Sequence, residues 1–290
     1  MANTFGVYLF ITLLFLICQN SSIGQDSAAT TIRIDPKNAV GGTVSQVFDR
    51  VNYIPLETTK ESLFGKIDQL AVTEKYFIVR DRNTNSILVF EKDGKFHSKI
   101  QGGNDNYNRN SIEDFSIDRS KKEIVFKKGW DEFIHYDFDG KMIRKEKVSI
   151  EGNDFFIFPK DIIVYADYSV DRTHSPDSTR YELMFARKNK IYKHDLPYNG
   201  KFSSLQNDDI LGVQHSPFYE SGNDTSAFYW RPYDYGIYAI SPSGIRRKYN
   251  FILPLANSLP VAFATNTLFT FKRLDYIKTN REVIYNISNI

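Results

Sequence analysis

The stretch Ile87-Leu88-Val89-Phe90-Glu91-Lys92-Asp93-Gly94-Lys95-Phe96 reads as strand, tight turn, strand. A run of β-forming side chains ends at Glu91-Lys92, and Asp93-Gly94 supplies the positive φ that a short hairpin turn requires. The phrase returns as Phe133-Ile134-His135-Tyr136-Asp137-Phe138-Asp139-Gly140-Lys141-Met142. It returns again as Ile191-Tyr192-Lys193-His194-Asp195 running to Asn199-Gly200-Lys201-Phe202, and as Ile237-Tyr238-Ala239-Ile240-Ser241-Pro242-Ser243-Gly244. The opening positions 87, 133, 191 and 237 are 46, 58 and 46 residues apart. Recurrence at this spacing marks repeated supersecondary units.

Inside the first unit, β runs at 67–72, 76–79, 87–91 and 96–100 are separated by polar or glycine turns; the second unit repeats the order at 112–118, 123–127, 133–137 and 142–148. Four antiparallel strands per unit is the pattern of a propeller blade. A β-sandwich also has short strands, but nothing in it returns one phrase at near-constant spacing. The expected fold is therefore all-β, a β-propeller of four-stranded antiparallel blades, with the Ile87, Phe133, Ile191 and Ile237 phrases as third strands. The longer third unit is explained by an exposed loop over 167–180, rich in Ser, Thr, Asp and Pro. One more period predicts a strand at Glu282-Val283-Ile284-Tyr285-Asn286, shortly before the last residue, Ile290. That makes about four and a half blades in an incomplete ring, with Val51-Asn52-Tyr53-Ile54-Pro55-Leu56 as the strand that completes the last blade.

These phrases resemble a family of six-bladed β-propellers abundant among secreted and lipid-anchored proteins of certain bacteria. The resemblance rests on Val51-Asn52-Tyr53-Ile54-Pro55-Leu56-Glu57-Thr58-Thr59, on Ser86 to Phe90 with Lys92 to Phe96, on Ile112-Glu113-Asp114-Phe115-Ser116-Ile117-Asp118, and on Tyr233-Asp234-Tyr235-Gly236-Ile237-Tyr238. It covers about residues 44–290 and implies further blades, so that the chain reads as truncated. The family's Gly-x-Gly-Pro-Gly-Glu-Tyr-like loop is replaced by Gly102-Gly103-Asn104-Asp105-Asn106-Tyr107.

Residues 1–24 hold no Lys, Arg, Asp or Glu, and Val7 to Cys18 is almost unbroken apolar sequence. The 14 residues from Phe5 to Cys18 fall short of the ~20 that a spanning helix needs. Ser22 and Gly24 stand at −3 and −1 of a signal-peptidase cut, although the amino terminus is the sole positive charge before the apolar run. The organisation expected is a signal peptide at 1–24, a linker at 25–43 and the propeller at 44–290, with export to the periplasm or cell surface and no transmembrane span. Cys18, the one cysteine, sits where a lipoprotein is acylated, but Ile17 before it is not the small residue a lipobox carries, so lipid anchoring is the weaker alternative. Cleavage after Gly24 leaves a mature chain without thiol or disulfide chemistry.

Composition is that of a β-rich domain with ample core: 41% hydrophobic and 15% aromatic, with 18 Tyr and 23 Phe. A net charge of +2, with acids and bases interspersed, gives no argument for nucleic acid. The histidines at 97, 135, 174, 194 and 215 have no His-x-His or His-Glu-x-x-His spacing, so no metal and no cofactor is expected. His135 and His194 read as blade residues, and His174 with Asp167, Asp171 and Asp177 as a solvated acidic loop. Gly102-Gly103 lacks the Lys-Ser/Thr and helix of a phosphate loop, no Gly-x-Ser-x-Gly elbow is present, and Glu113-Asp114 and Asp208-Asp209 are ordinary turn acids.

One constellation stands out: Phe218-Tyr219 and Phe228-Tyr229-Trp230-Arg231-Pro232-Tyr233-Asp234-Tyr235. Rings beside hydrogen-bonding side chains suit sugar or peptide surfaces, whereas alternate residues of a half-buried strand must point inward. Trp230, Arg231, Tyr233 and Asp234 are the candidate ligand-binding residues, expected exposed at a strand-loop junction. The function read from the sequence is a non-catalytic extracytoplasmic module that binds a glycan, a peptide or a cell-envelope protein. The alternative is a propeller lyase or hydrolase with a metal-assisted site in the central channel, drawing on Asp68, Asp114 and His215.

Overall fold

Side chains alternate across a strand, and that alternation decides how the sheets stack. The computed structural model describes residues 29–103, 111–129, 131–167, 180–198, 216–231, 233–261, 263, 267–269 and 272–285. The leader, Cys18, the predicted cleavage position, His174, His215 and Asp208-Asp209 lie outside these residues. From Thr31 the chain forms one compact unit.

Four sheets follow one another along the sequence. The first is β2 (Gln69–Val72), β3 (Tyr76–Asp81), β4 (Ser86–Glu91) and β5 (Phe96–Gln101); the second is β6 (Phe115–Asp118), β7 (Glu123–Lys128), β8 (Glu132–Asp137) and β9 (Met142–Lys147). The third is β10 (Asp154–Phe158), β11 (Ile162–Ala166), β12 (Arg180–Arg187) and β13 (Lys190–Tyr198). The fourth is β14 (Phe218–Glu220), β15 (Ala227–Trp230), β16 (Gly236–Ser241) and β17 (Gly244–Ile252), with β1 (Thr30–Arg33) added beside β17. Consecutive strands within each blade pair antiparallel. This is the predicted all-β propeller, with four blades among the described residues rather than four and a half, or the six that the resemblance implies.

The strands read as continuous apolar runs because each middle sheet is packed on both faces. On β7, Ile124 and Phe126 join Ile78, Ile87 and Val89 of the first sheet, while Val125 between them joins Phe155 and Tyr165 of the third. On β11 the same happens one blade later: Ile162, Val164 and Ala166 pack with Ala227, Tyr229 and Ile240 of the fourth sheet, and Tyr165 points back to Phe133. The remaining face of the first sheet, with Val79, Leu88 and Phe90, is covered by Leu56 and Phe64 from the segment before β2.

Three expectations are corrected. The Ile191 phrase forms β13, the outermost strand of its blade and not the third, because the hairpin turn is Lys188-Asn189, both at positive φ, and not Asn199-Gly200. The 58-residue interval therefore compares different strands. The predicted strand at 282–286 does not form over its described residues: Val283 and Tyr285 follow α1 (Arg273–Thr279) and pack with Phe263, Ile277 and Tyr276, and residues 281–285 are in no sheet. Nor does Val51-Asn52-Tyr53-Ile54-Pro55-Leu56 enter a sheet; the added N-terminal strand is β1, inside the stretch read as a linker.

Residues 51–57 instead strap across the first hairpin turn. Glu57 donates its amide to the Gly94 carbonyl at 2.8 Å and accepts the Phe96 amide on its carboxylate at 2.9 Å. Gly94 sits at φ 91, and a Cβ there would run into the Pro55 carbonyl. Gly94→Ala is expected to cost about 2 kcal/mol or more, lowering Tm by roughly 4–8 °C. Gly222→Ala, at φ 83 with nothing near its Cβ, isolates the backbone term alone and is expected to cost about half as much. Equal losses in thermal melts of the two variants would show that the strap contact contributes nothing.

Candidate binding cavity

The innermost strands β2, β6, β10 and β14 surround a cavity of about 360 Å³. Its lining includes Lys66, Asp68, Gln69, Leu70 and Arg80 of the first blade, Phe115 and Ser116 of the second, Phe155 and Phe156 of the third, and Ser216, Phe218, Tyr219 and Glu220 of the fourth. Alternation explains the mixture: on β2, Ala71 is buried in the sheet interface while Leu70 on the other face is 50% exposed. On β14, Phe218 turns into the core and Tyr219 stays 37% exposed.

The inner strands run the same way, so their ends gather at the two mouths. At the mouth formed by strand starts, Gln69 bonds the Phe115 backbone twice, its amide nitrogen donating to the carbonyl at 2.7 Å and its oxygen accepting the N–H at 3.0 Å. Asp68 accepts the Arg82 amide at 2.8 Å and faces Lys66 at 3.3 Å. Burial pushes the Asp68 carboxyl up, but the Arg82 amide and the Lys66 ammonium outweigh it and hold it below the usual carboxylate range. Arg80, paired with Gln69 across β2–β3, is 1% exposed; its Nη1 donates to the Ile112 carbonyl at 2.9 Å, and among the described residues its Nε finds no acceptor.

Beside it lies Asp114, which contacts Asp154, the first residue of β10. Burial, then the neighbouring Asp154 carboxyl, pushes the Asp114 carboxyl well above the usual range. The folded state thus holds a proton that the unfolded chain releases near pH 3.8, so stability is full below that value and falls as pH rises above it. Asp114→Asn is expected to remove this slope, gaining on the wild type as pH goes from about 4 to about 7. Parallel melting profiles for the two proteins would rule it out.

The opposite mouth is crossed by a charge network. Arg119, following β6, donates to the Val72 carbonyl at 2.9 Å and to Glu220 at 2.7 Å, and meets Asp224 at 3.3 Å. Glu220 also accepts the Val72 amide, so one carboxylate links the fourth blade to the first and the second. Burial raises its carboxyl despite these partners.

The aromatic set predicted as a site lies elsewhere. Trp230 is 3% exposed, which corrects the expectation of an exposed ring. Arg231 binds Glu182 of β12 through Nε at 2.8 Å and Nη2 at 2.7 Å, and Tyr229 donates to the same carboxylate at 2.6 Å. Tyr233, at φ 61, meets Phe263 edge-on at 5.2 Å between centroids, and Asp234 accepts from Tyr238 at 2.7 Å and Arg247 at 2.6 Å. Together they join blades three and four and the C-terminal segment. Of the alternative channel set, Asp68 lines the cavity and Asp114 is buried beside it. Among the described residues no three His, Cys, Asp or Glu side chains are grouped as a metal site needs. His135 is a blade residue, bonded to Glu123 at 2.8 Å. Sequence reading missed Arg80 and Glu220; the available signal was a cation inside the apolar run Tyr76-Phe77-Ile78-Val79-Arg80.

No curated protein matches this chain. Among solved structures it is similar to a Bacteroides fragilis protein described as exported, at 16% identity and TM-score 0.62 over 89% of this chain and 66% of that one. Weaker likenesses are to virginiamycin B lyase of Staphylococcus aureus (13% identity, TM-score 0.37, 66% of this chain and 55% of that one) and to BamB of Moraxella catarrhalis (12%, 0.35, 65% and 49%). The chain spans less than two thirds of the length of each. The likeness to the Bacteroides structure supports the propeller fold and no more. Residues 29–288, which hold all four blades, match a domain of unknown function, and the chain accordingly belongs to the DUF4934 family.

Proposed function

We propose that this protein is a non-catalytic binding module acting outside the cytoplasm, and that the central cavity is where it takes its ligand, a glycan or a peptide of the cell envelope. The observation that carries the reading is the lining itself: the exposed Tyr219 ring and Leu70 stand beside Lys66, Asp68, Gln69 and Ser216 in a concavity to which all four blades contribute. Apolar faces with a few convergent polar groups are the ordinary make-up of a ligand pocket. The aromatic set at 230–234 is left out, because Trp230 is buried and Arg231 and Asp234 are engaged with Glu182 and Arg247.

Leu70→Trp fills the cavity from an exposed position and is expected to abolish binding of oligosaccharides or short peptides, measured by calorimetry, while Tm moves by no more than about 2 °C. Retained binding would place the ligand elsewhere. The extracytoplasmic address rests on the charge-free apolar leader and agrees with the description of the Bacteroides neighbour as exported. Among the described residues no helix is long and apolar enough to cross a membrane. N-terminal sequencing of the exported protein is expected to begin at Gln25; an acylated Cys18 would instead establish a lipoprotein.

A further inference from the structure

Most charges around the cavity have an ion-pair partner among the described residues, and one does not. Asp68 has Lys66 at 3.3 Å and the Arg82 amide at 2.8 Å; Glu220 has Arg119 at 2.7 Å. Arg80 lines the same space at 1% exposure, yet among the described residues it makes no ion pair, and its Nε–H has no acceptor. A guanidinium carries five donors in a planar fork and is not relieved by losing its proton.

We propose that this mouth of the cavity is a subsite for the carboxylate of an acidic sugar, a uronate, received by the Arg80 guanidinium with Lys66 at the rim. The inference rests on the reading of the cavity as the ligand site and adds the chemistry of the ligand. Asp114, whose charge acts on Arg80, makes no ion pair with it, and burial with the adjoining Asp154 pushes its carboxyl up and so weakens its hold on the cation. A uronate unites what the lining offers: a negative group for Arg80, hydroxyls for Ser216, and an apolar ring face for the exposed Tyr219. A short aliphatic peptide carboxylate brings the same charge without the apolar ring face that packs on Tyr219.

The test is calorimetric titration of the full exported protein with trigalacturonate, its methyl ester, a neutral galactose trimer and trialanine. The free acid is expected to bind about tenfold or more tighter than its ester, the loss of one charge-assisted contact. Arg80→Gln is expected to bind acid and ester alike, and Lys66→Gln to keep most of the preference. Should Arg80→Gln fail to fold, the acid-to-ester ratio of the unaltered protein decides. Equal binding of acid and ester, or of the neutral trimer, overturns the subsite while leaving the cavity as a ligand site. Tighter binding of trialanine overturns the sugar assignment, and binding of none of the four overturns subsite and cavity together.

Discussion

Arg231→Ala is expected to lower the melting temperature by roughly 6–20 °C, corresponding to about 3–5 kcal/mol. The cause lies in what is left behind. Glu182 is 3% exposed and accepts from Arg231 at two nitrogens and from Tyr229 at one oxygen. Without the guanidinium, a buried carboxylate keeps a single neutral donor, and an uncompensated buried charge is far costlier than a lost contact. Combining the change with Glu182→Gln should recover much of the loss, because the buried group is then uncharged. A single-variant loss under about 1 kcal/mol by calorimetry would mean that water reaches Glu182 and that the pair does not hold blades three and four together.

The double change Trp230→Ala with Tyr233→Ala is expected to cost more than either alone and at least about 3–5 kcal/mol. Trp230 is enclosed at 3% exposure, and Tyr233 packs edge-on against Phe263, which is itself 1% exposed. The folded fraction should keep its ligand affinity, since neither ring lines the cavity. Recognition through these rings predicts the reverse, lost binding at an intact Tm. One set of melts and titrations separates the two.

The hairpin phrases at Ile87, Phe133 and Ile237 identified third strands correctly because local turn chemistry and side-chain pattern agree there; Gly94, Gly140 and Gly244 all sit at positive φ. The Ile191 phrase misled because β12 and β13 are both long and both β-patterned, and the turn between them, Lys188-Asn189, carries no glycine. Glu282-Val283-Ile284-Tyr285 has strand-like composition, but a strand needs an edge to pair with, and Tyr285 is drawn into the aromatic cluster around Phe263. The cavity was legible only as a consequence of the fold. Arg80 and Asp114 at one mouth and Glu220 at the other are each placed by contacts across blades between residues far apart in sequence, and no spacing rule reports such meetings.

The pairing of β1 with β17 sets the order in which the chain can finish folding. The Ile34 amide bonds the Ile252 carbonyl at 3.0 Å, so a segment waits for a partner made roughly two hundred residues after it. Each four-stranded blade forms from hairpins of neighbouring residues, but this edge closes a loop of roughly two hundred residues, whose entropy opposes it until the blades between have assembled. Until then nine-residue β17 presents a bare row of amides and carbonyls to any other chain at hand. The interval before β1 docks is therefore when newly made copies are most prone to exchange strands or aggregate, and crowding of unfinished chains, more than the stability of the finished protein, will govern the yield of refolding.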